Sequence, residues 1–332
     1  MMTMPLIAQG AGDGGVGAGA DPRPPQRTLA GLRNAQRQLV KSCLFLLGHT
    51  PDPSGLAPAH GRGLSLFYIL SKMGDFGEEL SVRLKLTIAY DGFGFAGWQL
   101  QPGRDTIQER LESALEEIAK EPIRIHGSGR TDAGVHATGQ VAHFDPPAQL
   151  TMNPVNWLAA LNTKLPPSIR VIECEEVHPD FHARFSASWK TYVYELSTEP
   201  ILPPFRAGRA WHLPRQLDPV TLEQALALFE GRHDFKAFSA VRGNEDGETD
   251  YRRTLSESSL SRLPEGYLLT FTGEGFLYKM VRLLTGAAVQ TAQGYFRLDD
   301  LASLLDQEPE LPRGKSPLCA PPDGLSLVEV RY

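Results

Sequence analysis

Cysteine is nearly absent. Cys43, Cys174 and Cys319 are the only three in 332 residues, and their wide spacing offers no disulfide framework, which points to a reducing, cytoplasmic setting. Long apolar runs are missing too: Cys43–Leu47 and Leu64–Leu70 stop far short of the roughly 18 residues that a transmembrane helix needs. The first run, with Lys41 ahead of it and APAH beyond, fails as a signal peptide because it begins about forty residues in and its apolar part is too short. A surplus of positive charge is likewise lacking. The net charge of −6 argues at first against a polyanionic partner, since nucleic-acid affinity rests on counterions released around a basic surface. The acids, however, concentrate at 173–176, 244–250 and 299–310. Arg130, Arg184, Lys190, Arg206, Arg209, Lys279 and Arg282 are thereby left to form a local basic cleft on an acidic body.

What is present sorts into two zones. Residues 1–80 are rich in Gly, Pro and Ala, as in GAGDGGVGAGADPRPP and TPDPSGLAPAHGRG, so a low-complexity, disordered N-terminal extension is expected. Within it Leu32, Ala35, Leu39 and Cys43 approximate a short helix between Ala30 and Leu47. Met73 stands just ahead of the first strong pattern, which suggests that translation starts there; an intact mass beginning at Met1 would contradict this.

From Arg83 the patterns sharpen, and the 41% apolar content of the chain supplies a sizeable core. RLKLTIAY alternates, with Leu84, Leu86, Ile88 and Tyr90 on one face, as in an antiparallel strand covered on one side. Thr106 and Glu109 form a capping-box pattern ahead of Ile107, Leu111, Ala114, Leu115 and Ile118, which predicts a helix ending before Pro122. A short strand, Ile123–His126, leads into a glycine-rich loop, and GQVAHF leaves it as another. Further strands are predicted at Ile169–Val177, Thr191–Ser197, Arg252–Leu260, Tyr267–Thr272 and Leu325–Val330. Helices are predicted at Pro154–Asn162 and Pro219–Phe229 and from near Phe276 and Leu298. Strands and helices mixed without regular βαβ crossovers indicate an α+β fold with a largely antiparallel sheet, in two halves of similar content, 81–180 and 181–332.

The stretch HGSGRTDAGVHATGQVAHF, residues 126–144, places a single acid, Asp132, after Arg130 and Thr131 among glycines. Gly127, Gly129 and Gly134 permit close backbone approach to a ligand; a tight surface turn with an ion pair is the plain alternative. The spacing fits neither the dinucleotide fingerprint nor a phosphate-binding P-loop. A paired arginine favours the ionised form of Asp132, which suits a nucleophile or charge stabiliser better than a proton donor. Glycosidase-type hydrolysis normally uses a second carboxylate; this motif has none, so a partner would have to come from elsewhere in the chain. Cys174, His178 and His182, spaced four apart, suggest zinc, but Pro179 interrupts any helix that would align them and no fourth ligand is apparent. No metal is expected.

GRTDAGVHATGQV resembles the signature of the tRNA pseudouridine synthase A (TruA) family. The resemblance extends through YDGFGFAGWQ (Tyr90–Gln99), TIQERLESAL, FHARFSA (Phe181–Ala187), the strand around Tyr192 and GFLYKMVR (Gly275–Arg282). It implies a pseudouridine synthase fold, with a central, mainly antiparallel sheet built from two related halves and flanked by helices. It also implies an isomerase that converts uridine to pseudouridine in the anticodon stem-loop of tRNA, at tRNA positions 38 to 40. By the resemblance Asp132 is the nucleophile, attacking the target uridine at the base or at the sugar C1′. Arg130 pairs with Asp132 or holds the flipped nucleotide, and Arg282 is the second cation of the site. Tyr192 stacks on the uracil and takes part in proton transfer. Phe181, His182, Ala183, Arg184, Phe185 and Arg252 are implied substrate contacts. No cofactor is implied, and a partner carboxylate is unnecessary because the detached base stays in the pocket. The implied partners are tRNA and a second copy of the chain in a homodimer, with no membrane and no metal.

Other readings of these residues stay open. Lys279 and Arg282 lie three apart, beside Phe276, Met280 and Leu284, as on an exposed amphipathic helix. Tyr192, Tyr194 and Leu196 share a strand face and suit core packing, which is the expectation for Tyr194 in either case. His136 and Thr138 are expected to shape the loop. Around DFKAFSAVRGNEDGETDYRRT the chain departs from the family: Gly243 stands where cysteine is frequent and Asp250 where proline is common. The added acids oppose phosphate contacts at Arg242–Asp246. A non-catalytic tRNA-binding or RNA-chaperone protein of the same fold is the competing reading, and a hydrolase releasing free base is a third.

Overall fold

The alternation in Arg83–Tyr90 becomes strand β1, with Leu84, Leu86, Ile88 and Tyr90 buried and the residues between them half-buried. The computed structural model describes residues 82–214, 217–240, 250–305 and 316–332. The readings made for residues 1–80, Met73 included, and for Arg242–Asp246 lie outside the described residues. Within them the further strands are β2 (His126–Gly127), β3 (His136–Phe144), β4 (Ile169–Val177), β5 (Trp189–Ser197) and β6 (Trp211–His212). β7 (Gly231–Asp234), β8 (Arg252–Leu263), β9 (Gly266–Gly273) and β10 (Leu325–Arg331) complete a ten-stranded sheet. Its order is β4-β1-β3-β10-β5-β9-β8-β7, with β2 against β3 and β6 against β5. Apart from the parallel pairs β10–β3 and β5–β6, the ladders are antiparallel, as an α+β fold requires.

The last strand decides where chemistry is assembled. β10 inserts between β3 and β5, so Leu327 is registered opposite Ala137 on one side and Tyr192 on the other. The glycine-rich loop before β3 is thus brought beside the middle of β5.

Helix α1 (Ile107–Ala119) starts where expected: the Thr106 hydroxyl accepts from the Glu109 N–H at 3.3 Å, and Lys120 ends it in the left-handed region. Asn153 and Asp218 cap α2 (Pro154–Lys164) and α3 (Pro219–Ala227), each with proline in its first turn. α1 packs on α2 and α2 on β4, while α3 packs on β8 and on α4 (Met280–Ala292); α5 (Leu298–Ser303) lies against α3 and α4. One apolar cluster runs from Leu84 and Trp157 through Tyr194 to Leu284.

The structure corrects two predicted elements. Ile123–Ile125 form no ladder, because the Ile125 N–H donates to Glu112 at 3.1 Å and Gln108 donates to the Ile125 carbonyl at 3.4 Å, so side chains of α1 take the place of a neighbouring strand. The helix expected from Phe276 begins at Met280 instead. The Tyr278 carbonyl is committed to the Ala240 N–H at 3.1 Å, and Lys279 sits at φ +60°, outside helical geometry. Lys279 and Arg282 therefore do not share a helix face. The short strands β6 and β7 carried no readable periodicity.

Candidate active site

The loop between β2 and β3 is fixed along its whole length by buried groups. Ser128 Oγ donates to Gln140 Oε1 at 2.7 Å, and Gln140 Nε2 donates to the Gly129 carbonyl at 3.0 Å. The Thr131 hydroxyl bonds the Tyr90 hydroxyl at 2.8 Å, and the Thr131 carbonyl accepts from the Trp98 N–H at 3.1 Å. Asp132 then opens a turn closed by the Val135 N–H at 3.1 Å, with Gly134 at φ +81°, a conformation that side chains resist. Gly127 has a different reason for lacking a side chain: a Cβ there would lie 2.6 Å from the Trp98 ring. Gln140 carries its own sequence signal, since a glutamine inside an apolar strand must find partners when buried.

Asp132 faces a cleft of about 710 Å³. Among the lining residues it is the one carboxylate, against six cations, Arg124, Arg130, Arg184, Lys190, Lys279 and Arg282. The expected basic cleft on an acidic body therefore exists, with a changed membership. Arg206 pairs with Glu195 and Arg209 with Asp91, away from the cleft, and Arg124 takes a place that no sequence pattern indicated.

Asp132 pairs with Arg282, whose Nη1 lies 3.1 Å from Oδ2 while its Nε donates to the Ala320 carbonyl at 2.7 Å. Only 13% of the Arg282 side chain and 21% of the Asp132 side chain are exposed. Arg282 occupies the first turn of α4, where the helix dipole disfavours a cation, so the carboxylate and carbonyl hold it against that preference. Arg130, expected to pair with Asp132 or to hold substrate, is exposed and donates from Nε to Gln99 at 2.9 Å.

Tyr192 also lines the cleft, 8% exposed, with its ring edge-on to Phe276 at 5.0 Å. Burial, then the nearby Tyr90 and Asp132, hold its pKa well above that of a free phenol, so the hydroxyl stays protonated at neutral pH. Tyr194, two residues on, is core as expected and donates to the Pro321 carbonyl at 2.6 Å. His136 shapes the loop base: its Nδ1 accepts from the Gly92 N–H at 3.0 Å, which leaves Nε2 to donate to the Gly208 carbonyl at 2.7 Å. Thr138 is exposed.

FHARF divides by residue. His182, Arg184 and Phe185 line the cleft, with the Arg184 guanidinium 5.5 Å from the Phe185 ring centre. Phe181 and Ala183 do not line it. Ala183 is fully buried, its N–H donating to His143 Nδ1 at 3.1 Å and its carbonyl accepting from Tyr332 at 2.9 Å, while Phe181 packs on Tyr332 with ring centres 4.8 Å apart. These two anchor the segment from behind the cleft lining. Arg252 begins β8 opposite Asp234 and is also absent from the cleft lining. His126 stacks on His143 at 5.1 Å, and His143 meets His182 at 4.7 Å. Burial, followed by the Arg83 charge, pushes the His143 pKa down to about 4. Among the described residues no group of three or more His, Cys, Asp or Glu side chains could hold a metal ion, and no helix is long and apolar enough to cross a membrane.

The mainly antiparallel α+β sheet thus presents one ion-paired carboxylate and a buried tyrosine in a cation-lined cleft. A family model described as tRNA pseudouridine synthase matches residues 86–186 and 225–332. A protein named tRNA pseudouridine synthase A from Akkermansia muciniphila is 53% identical over 253 residues, covering 75% of this chain and 95% of that one. Proteins of the same name from Solidesulfovibrio magneticus and a Geobacillus species are 43% and 39% identical, with 91% and 99% of their lengths covered and 75% and 76% of this chain. The chain belongs to the tRNA pseudouridine synthase A family.

Proposed function

We propose that this chain is a cytoplasmic enzyme that isomerises uridine to pseudouridine in the anticodon stem-loop of tRNA, at tRNA positions 38 to 40, and that it works as a homodimer. The observation that carries the reading is the single carboxylate, ion-paired to Arg282, in a cleft of about 710 Å³ lined by six cations, a size suited to a flipped nucleotide. Arg130, Arg184 and Lys279 offer charge to RNA phosphate despite the acidic total, and the aromatic side chains offer a surface on which an unstacked base can lie. A uridine inside a stem must leave its stack before any side chain reaches C6 or C1′.

Asp132 attacks the flipped uridine at the base or at C1′, the N1–C1′ bond breaks, and the uracil turns within the cleft; C5 then bonds C1′, the adduct releases the Asp132 carboxylate, C5 gives up its proton and N1 takes one. Arg282 aims the carboxylate. Tyr192 bears on the uracil ring, and its protonated hydroxyl is placed to exchange a proton with the turning base. His182, Arg184 and Phe185 take the flanking nucleotide, and Arg130 and Lys279 take phosphate. The cleft supplies orientation and charge, the two contributions that an isomerisation with no departing product most needs.

The test is incubation with unmodified tRNA transcript and scoring of pseudouridine by position, with Asp132→Ala as control. Product at 38 to 40 from the wild type and none from the variant is expected. tRNA binding without product from either protein would favour a non-catalytic binder, and release of free uracil would favour a hydrolase. Light scattering at micromolar concentration tests the dimer.

A further inference from the structure

We infer that Lys190 is a positioning residue that holds the Asp132 loop at a fixed distance from Tyr192. Lys190 and Tyr192 are two apart on β5 and so point to the same face of the sheet. The Lys190 ammonium donates to the Ser128 carbonyl at 2.7 Å and lies 3.2 Å from where a side chain at Gly129 would begin. The next carbonyl, Gly129, is held by Gln140 from β3. Two successive carbonyls of the loop are thus clamped by side chains from two strands separated by β10.

The loop's other buried anchors, Tyr90, Trp98 and Gln140, come from its own side of β10. The Lys190 bond is what ties it, among the described residues, to the strand that carries Tyr192. Nothing in the register offsets the charge: Val330 and Gly273, opposite Lys190 on β10 and β9, are both apolar. Arg184 adds repulsion. Burial first and Arg184 second push the Lys190 pKa down to about 8. An ammonium kept beside a cation and aimed at a backbone carbonyl is costly as mere packing, whereas a clamp on a catalytic loop has a use for it.

The inference rests on the reading of Asp132 as nucleophile, and one set of measurements separates the two. Lys190→Met, Lys190→Arg and Asp132→Ala are compared with wild type for single-turnover pseudouridine formation at saturating unmodified tRNA transcript, and for tRNA affinity at the same salt. Lys190→Met is expected to slow the saturated step about tenfold to a hundredfold, the scale of a misplacement near 1 Å, with Kd within about threefold. Lys190→Arg, which retains a charged donor, regains part of that rate. Weaker binding with an unchanged saturated rate would make Lys190 a phosphate contact and overturn the inference. So would an arginine variant as slow as the methionine one. If Lys190→Met does not fold, Lys190→Gln, which stays polar but whose amide is one bond shorter and falls short of the Ser128 carbonyl, takes its place in the same comparison. Product from Asp132→Ala would sink the reading of the site itself; an inactive Asp132→Ala beside fully active Lys190 variants would sink this inference alone.

Discussion

Removing Arg282 should harm the fold more than removing Arg282 and Asp132 together. At 3.1 Å the pair attracts by about 5 kcal/mol at an effective dielectric of about 20. Withdrawal of both groups from water and the dipole of α4 offset part of this, leaving an expected coupling of about 2 kcal/mol. Arg282→Met leaves the Asp132 carboxylate and the Ala320 carbonyl without their donor, a loss of about 3 kcal/mol. Asp132→Ala leaves Arg282 its bond to Ala320 and costs about 1 kcal/mol. The double variant then loses about 2 kcal/mol, less than Arg282→Met alone. Urea denaturation of the four proteins, with slopes compared to exclude a change in the unfolded state, measures the cycle. Additivity within about 0.3 kcal/mol would show that the two side chains do not support each other, and the account of how Asp132 is aimed would fall.

Other consequences are as direct. Tyr192→Phe should bind tRNA as the wild type does and lose product formation in proportion to the hydroxyl's share in proton transfer; unchanged turnover would remove that role. Gly127→Ala should destabilise by about 2 kcal/mol through overpacking against Trp98, and Trp98→Phe in the same chain should relieve much of it in a denaturation series. His143 has its pKa lowered from 6.5 to about 4, so the unfolded chain binds more protons in that window and its contribution is complete above pH 6.5 and falls away toward pH 4. At pH 5 the loss is on the order of 2 kcal/mol, and His143→Gln should flatten that limb relative to wild type in urea titrations at pH 5 and 8. Lys279→Ala should weaken tRNA binding and reduce the slope of log affinity against log salt by roughly 0.7 to 0.9, whereas an unchanged slope would place Lys279 off the phosphate path.

Much of this protein is written locally. The alternation of Leu84, Leu86, Ile88 and Tyr90 and the Thr106 cap carry their own geometry, because strand and helix periods and first-turn hydrogen bonds act over a few residues. The glycine-rich loop with its lone acid was equally legible, since its composition announces close approach and its single carboxylate narrows the chemistry. What the sequence could not decide is which charges meet. Asp132 is 150 residues from Arg282, and no period links them; the insertion of β10 between β3 and β5 helps bring their neighbourhoods together. The same holds for Arg206 and Arg209, equal in sequence to the cleft cations until Glu195 and Asp91 fold against them. FHARF sends its residues in two directions because His143 and Tyr332, distant in the chain, hold Ala183 from either side. Local patterns fix what most segments become, and only the long-range pairing of charges and backbone groups fixes which segments make a site.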